Sequence, residues 1–229
     1  MLVKDWMNPD MVVVESNATL ADVSRLMKEK NVLMVPVTEG GKLVGVVTDR
    51  DIKRASASDA TTLDVHELLY LLNRIRIREI MSRNPVTVSP YDTVEETAQL
   101  LLEKNISGAP VVDAKGSLVG TITQRELFRV LISLTGVGKK GIQFAFLLDD
   151  RAGSIKEVAD IIRSYGGRMV SILSTYEHAP EGKRFAYIRM HSVDPDKLDR
   201  LRSELEKKAR LLYMIDQTGK RREFYLNGN

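Results

Sequence analysis

Apolar and polar positions along this chain switch between two periods, and they do so twice in the same order. Residues 11–14 are a short β-branched run and predict a strand. Residues 18–30 carry Leu20, Val23, Leu26 and Met27 three and four apart, the apolar stripe of a helix that Asn17 is placed to cap. Residues 32–37 predict a second strand, Glu39-Gly40-Gly41 a tight turn and residues 43–48 a third strand, with a helix starting near Asp49. The second pass reads strand 86–88, helix 94–104, strand 106–112, turn Asp113-Ala114-Lys115-Gly116, strand 118–123 and helix 125–133. Between the passes, residues 56–62 are small and polar and predict a loop. Residues 63–77, with His66, Leu68, Leu69, Leu71, Leu72 and Ile75, predict a connecting helix with a broad apolar side.

The two passes align residue by residue. Met7 falls on Met81 at an offset of 74, Thr19-Leu20 on Thr93-Val94, and Pro36-Val37 on Pro110-Val111. One inserted residue near Lys115 shifts the offset to 75, and Gly45-Val46-Val47-Thr48-Asp49-Arg50-Asp51 lands on Gly120-Thr121-Ile122-Thr123-Gln124-Arg125-Glu126. A repeat of this kind is a supersecondary unit that buries its apolar face against its copy. Its most polar part recurs directly after the last strand, which points to paired binding clefts.

A different pattern begins after residue 134. Gly136-Val137-Gly138-Lys139-Lys140-Gly141 spells G-x-G-x-x-G, but it follows a helix and precedes a strand. A dinucleotide fingerprint needs the reverse order, so the segment is read as a linker. Strands at 142–148, 168–175, 184–190 and 210–215 and helices at 154–165 and 196–208 give the order βαββαβ, which is ferredoxin-like. The organisation expected is an α+β chain: repeat 1 at 1–57, connecting helix 58–76, repeat 2 at 77–134, linker 135–141, the βαββαβ domain at 142–217 and a basic tail at 218–229.

Composition narrows the function classes. The 229 residues include 34 basic and 31 acidic ones, interleaved, which is the pattern of a mixed solvated surface. A pI near 9.0 and Lys220-Arg221-Arg222 keep a nucleic-acid-binding regulator as the competing class. No apolar run approaches the roughly 18 residues of a membrane helix. The first residues run straight into repeat sequence without signal-peptide anatomy, so a cytoplasmic protein is expected. Zero cysteines exclude disulfides, thiolate catalysis and cysteine metal sites. His66, His178 and His191 lack metal spacing, and no G-x-S-x-G is present, so neither an enzyme nor a metal site is expected.

The chemistry concentrates in Thr48 and Asp51 and their counterparts Thr123 and Glu126. A hydroxyl and a carboxylate three apart at a helix start face the same way. The carboxylate suits a ribose diol, and the hydroxyl with the free helix N–H groups suits a phosphate. The same pair also reads as a plain helix cap.

These residues carry a family resemblance. Residues 1–134 resemble a Bateman module, a tandem of cystathionine-β-synthase (CBS) domains, with its adenine-nucleotide signature Gly-apolar-x-Thr/Ser-x-x-Asp. Residues 45–51 fit it fully, and residues 120–126 fit except for Glu126. The resemblance implies a ligand between the repeats: AMP, ADP, ATP or S-adenosylmethionine. Cleft A would take Val46, Thr48, Arg50 and Asp51 with Met81, Val86, Thr87, Ile106 and Ser107. Cleft B would combine Ile122, Thr123, Arg125 and Glu126 with Met7, Val12, Val13, Val32 and Leu33. Cleft A ranks first, because Glu126 is one methylene longer than Asp51 and Leu33 replaces Ser107.

The βαββαβ part resembles an ACT domain, through strand 142–148 leading via Asp149-Asp150-Arg151-Ala152-Gly153 into a helix. That likeness implies an amino-acid or other small effector near Asp150, Gly153 and Ser154, and a homodimer, since such sites form between paired copies. CBS pair plus ACT in this order resembles the acetoin-utilisation regulatory proteins. The expectation is a regulatory sensor acting on a protein the chain does not name, with the 127–134 helix and the linker passing occupancy from one half to the other.

Overall fold

The computed structural model describes residues 1–58 and 73–225. They divide into two compact units, Met1–Arg129 and Val130–Asn229.

In the first repeat, β1 (Val14–Glu15) lies parallel to β2 (Met34–Glu39), which pairs antiparallel with β3 (Lys42–Thr48). Helix α1 (Leu20–Lys30) joins β1 to β2, and α2 (Asp49–Ser58) follows β3. The cap of α1 is Thr19 and not Asn17: its hydroxyl accepts from the Asp22 amide at 3.1 Å, satisfying one of the free donors of the first turn. Leu20, Val23 and Met27 of α1 pack on Val35, Val37 and Val47 of the sheet. The strand expected at 11–14 shrinks to Val14 and Glu15, because only these find ladder partners, in Val37 and Thr38. Helix α2 runs on to Ser58, into the expected loop. The remainder of that loop, His66 and residues 63–72 of the connecting helix lie outside the described residues. Residues 73–74 are helical, and Ile77 opens a separate short helix, α3 (Ile77–Ile80), followed by β4 (Ser82–Arg83).

The second repeat holds α4 (Val94–Glu103), β5 (Gly108–Val112), β6 (Leu118–Thr123) and α5 (Gln124–Thr135). Thr93 and Glu96 close a capping box at the start of α4. Residues 86–88 form no strand but a single bridge, Val88 to Val111.

Each sheet is completed by the segment that leads into the other repeat. Strand β4 pairs with β3 through Gly45 and Val46, and α3 belongs to the core of the first repeat. Reciprocally, the Asn8 amide donates to the Thr121 carbonyl at 2.8 Å, and Val3 is fully buried in the second repeat. The signature glycines allow this crossing. A Cβ on Gly45 would stand 2.6 Å from Met81 Sδ and 2.9 Å from the Ser82 carbonyl, and one on Gly120 2.8 Å from Met7 Sδ and 3.0 Å from the Asn8 carbonyl.

The second unit contains β7 (Ile142–Asp149), α6 (Ser154–Ser164), β8 (Arg168–Thr175), β9 (Lys183–His191), α7 (Leu198–Lys208), β10 (Arg210–Asp216) and β11 (Arg221–Phe224). The sheet order is β11-β10-β7-β9-β8, with every neighbouring pair antiparallel. Gly136 to Gly141 follows α5, makes a single 3-10 turn at Val137–Lys139 and precedes β7. The segment expected to be a solvated basic tail instead adds the edge strand β11. Its charges are paired in alternation, Arg221 with Asp199 at 2.8 Å and Glu223 with Arg202 at 3.1 Å, and Tyr225 packs on the core. Arg189 Nε donates to the Thr135 carbonyl at 2.9 Å, placing a cation at the C-terminal end of α5, where the helix dipole favours it.

Candidate functional site

The two Thr-x-x-acid turns fold into the same local device. Asp51 is 9 % exposed; its Oδ2 accepts from the Thr48 amide at 2.9 Å and from the Thr48 hydroxyl at 2.6 Å, and the Asp51 amide returns to that hydroxyl at 3.3 Å. Glu126 is 6 % exposed, and its Oε2 accepts from the Thr123 amide at 2.9 Å and from the Thr123 hydroxyl. The extra methylene of glutamate therefore does not break the device. In both turns one carboxylate oxygen serves as a helix cap and the other is left for a second task.

That second task differs between the copies. Asp51 Oδ1 takes the Arg54 guanidinium at 2.7 Å, in an ion pair whose arginine is mostly exposed. The corresponding Arg129 makes no such pair, and Glu126 Oε1 has no partner among the described residues. The neighbouring arginines are reversed. Arg125 donates to the Asn31 carbonyl at 3.0 Å across the repeats, whereas Arg50 is exposed and unpaired among the described residues.

Asn31 ends α1 in the left-handed region with φ 51, and the Leu33 carbonyl two residues on accepts from the Asp49 amide at 3.1 Å. The α1–β2 junction thus touches both acid-bearing turns. Leu33 is 60 % exposed there and Val13 38 %, apolar surface of the kind that a flat base covers. Val32 and Val12 are half-buried against the first repeat's core. Met81 lies beside β3 at Gly45, next to Val46, and Met7 beside β6 at Gly120. Val86 is half-buried and Thr87 exposed. The Ser107 carbonyl accepts from the Gln124 amide at 2.9 Å, so Ile106 and Ser107 are placed by contact at the turn of their own repeat. Ile122 requires a correction. It is fully buried in the second repeat's core, as Val47 is in the first, because the 75-residue offset pairs Val46 with Thr121.

The residues missed from sequence are Arg54 and Asn31. Arg54 sits three positions after Asp51, a helical spacing that could have been read; the Asn31 carbonyl carries no side-chain signal.

In the second unit, Gly153 starts α6 in the left-handed region and Ser154 is 4 % exposed. Asp150 accepts from the Tyr176 hydroxyl at 3.2 Å, and the Arg184 guanidinium lies 3.8 Å from the same carboxylate oxygen. Ser154 also lines a cavity of about 240 Å³ with Arg151, Glu157, Lys183 and Lys208; Asp150 and Gly153 do not. Two hydrogen bonds from Arg151 and one from Lys208 hold the Glu157 carboxyl down at about 2. Among the described residues no helix is long and apolar enough to cross a membrane, and no group of three or more His, Asp or Glu could hold a metal.

The family model for the CBS domain matches residues 3–58 and 77–133. A CBS domain-containing protein of Dictyostelium discoideum is 31% identical over 134 residues, covering 58% of this chain and 92% of that protein. The CBS domain pair of protein MJ0100, solved in complex with 5'-methylthioadenosine and S-adenosyl-L-methionine, is 30% identical with a TM-score of 0.50, over 61% of this chain and 98% of that one. A Vibrio cholerae protein assigned to acetoin utilization (AcuB) is 26% identical with a TM-score of 0.50, over 61% and 96%.

Proposed function

The chain belongs to the CBS-domain family, and on that premise we propose that its paired repeats are a non-catalytic regulatory module binding an adenosine-containing ligand between them. The observation that carries the reading is the duplicated acid–threonine device, Thr48 with Asp51 and Thr123 with Glu126, behind glycine-led strands. The carboxylate oxygen not used as a cap accepts from the ribose hydroxyls. Arg50, exposed and without a partner among the described residues, suits a phosphate, which favours cleft A for AMP, ADP or ATP. Cleft B, with Leu33 and Val13 exposed and Arg125 engaged, offers more apolar surface and suits S-adenosylmethionine or methylthioadenosine. The test is isothermal titration with each of these ligands, repeated on Asp51→Ala and Glu126→Ala.

The second unit, in this proposal, is an ACT-type regulatory domain. Support comes from its βαββαβ order and from the antiparallel β10-β7-β9-β8 core of its sheet, the ferredoxin-like arrangement. Its effector site is the turn of Asp150, Gly153 and Ser154, its ligand an amino acid, and its working form a homodimer that relays occupancy to a regulated protein. A thermal-shift panel of amino acids, with light scattering for mass, tests both statements.

A further inference from the structure

Helices α6 and α7 pack on one face of the second sheet, over Phe144, Phe146, Ile188 and Met214. Strand alternation puts Arg189, Tyr213 and Ile215 on the other face, with Phe224 beside Tyr213 and Arg222 beside Ile215. At one end of that face a cavity of about 380 Å³ opens among Lys140, Lys220, Arg222, Ile215 and Gln217.

Its charge is lopsided. Among the described residues the side chains of Lys140, Lys220 and Arg222 have no ion-pair or hydrogen-bond partner. Among the described residues the one carboxylate lining the cavity, Asp216, is turned to its own loop, where its Oδ1 accepts from the Thr218 and Gly219 amides at 2.8 and 2.9 Å. Behind Gln217 stands a fourth cation, Arg189, 5 % exposed. It donates to the Gln217 side chain at 3.1 Å, to the Thr135 carbonyl and to Gln143, all of them neutral acceptors. A buried charge without a counter-charge draws anions to its surroundings. The wider unit agrees: of the chain's 34 basic residues 18 lie in Val130–Asn229, against 13 of its 31 acidic ones.

We propose that this cavity, at Lys140, Lys220 and Arg222, binds a phosphate group. Phe224, 59% exposed and one strand repeat from Arg222, offers its ring face to whatever ring the phosphate carries, with the Tyr213 ring tilted beside it at a centroid distance of 6.1 Å. A small polyphosphate and the backbone of single-stranded nucleic acid both supply that chemistry.

The experiment uses the full chain and two probes: inorganic tripolyphosphate by titration calorimetry and a labelled 12-residue oligo(dT) by fluorescence anisotropy. At least one probe binds the wild type, and the variant Lys140→Gln/Lys220→Gln/Arg222→Gln loses about tenfold or more of that affinity. For oligo(dT), three contacts give a log–log salt slope of about −2, roughly a 20-fold loss between 50 and 200 mM salt. Phe224→Ala weakens oligo(dT) and leaves tripolyphosphate unchanged. Binding of oligo(dT) alone identifies a strand as the source, and binding of both shows that the phosphate suffices. Failure of both probes on the wild type, or a triple variant that keeps wild-type affinity, overturns the proposal. Should the triple variant not fold, Arg222→Gln alone, on the exposed edge strand, gives the same comparison.

Discussion

Thr48 and Asp51 are locked together, hydroxyl to carboxylate at 2.6 Å, so the side chain proposed to meet a ribose is also the clamp that starts α2. Cap and proposed ligand site share one side chain, so a change at Asp51 is expected to act on both. Asp51→Ala is expected to lower stability by about 0.5–2 kcal/mol through the lost cap. It also removes charged hydrogen bonds to the ligand worth about 1.5–3 kcal/mol, or 10- to 100-fold in affinity. Chemical denaturation and ligand titration on the same preparation separate the two effects; a stability loss with unchanged affinity leaves only the cap.

Arg54 holds Asp51 Oδ1, the oxygen that the proposed ligand would need. The arginine is mostly exposed, so solvent screening limits the pair to about 1 kcal/mol or less. Arg54→Ala should therefore tighten binding of an uncharged adenosine compound by up to about fivefold, with little change in melting temperature. Weaker binding of AMP in the same variant would show that Arg54 turns toward the phosphate instead.

Gly45→Ala is expected to destabilise the first unit by about 1–3 kcal/mol, because the added methyl meets the Ser82 carbonyl at 2.9 Å as well as the more yielding Met81 side chain. Gly120→Ala, with contacts at 2.8 and 3.0 Å, should cost a similar amount. Thermal unfolding of both variants checks the equivalence; unchanged melting would mean that β4 and residues 7–8 do not pack as closely as described.

Glu157 gives the second unit an acid-sensitive tie. Its carboxyl falls from the ordinary 4.5 to about 2 through hydrogen bonds from Arg151 and Lys208. A depressed carboxylate stabilises the fold fully above the unfolded value, and that contribution fades as pH drops from 4.5 through about 2. Glu157→Gln should flatten this part of the acid-unfolding profile while leaving the profile between pH 6 and 8 parallel to wild type. An unchanged acid limb would remove Glu157 from the account.

Much of the architecture was legible in the residues. The offset of 74 and then 75 exposed the repeat, and the Thr-x-x-acid spacing located both turns. What stayed hidden depends on long-range pairing. Nothing local tells Val3 or Ile77 that its core lies in the other repeat, since both read as ordinary apolar residues beside a boundary. Strand β11 is not legible locally, because Arg221 and Glu223 look solvated until Asp199 and Arg202 of α7 are brought to them. Ile122 was misassigned through a one-residue slip, and in a strand one residue is the difference between the core and the opposite face.

The account stands most directly on calorimetric titration of the wild-type chain and the Asp51→Ala/Glu126→Ala variant with AMP, ATP and S-adenosylmethionine. It predicts saturable binding of at least one of them to the wild type, with no more than two sites per chain, and a loss of about 10-fold or more in the variant. The absence of binding by all three, or a variant that binds as the wild type does, would contradict it.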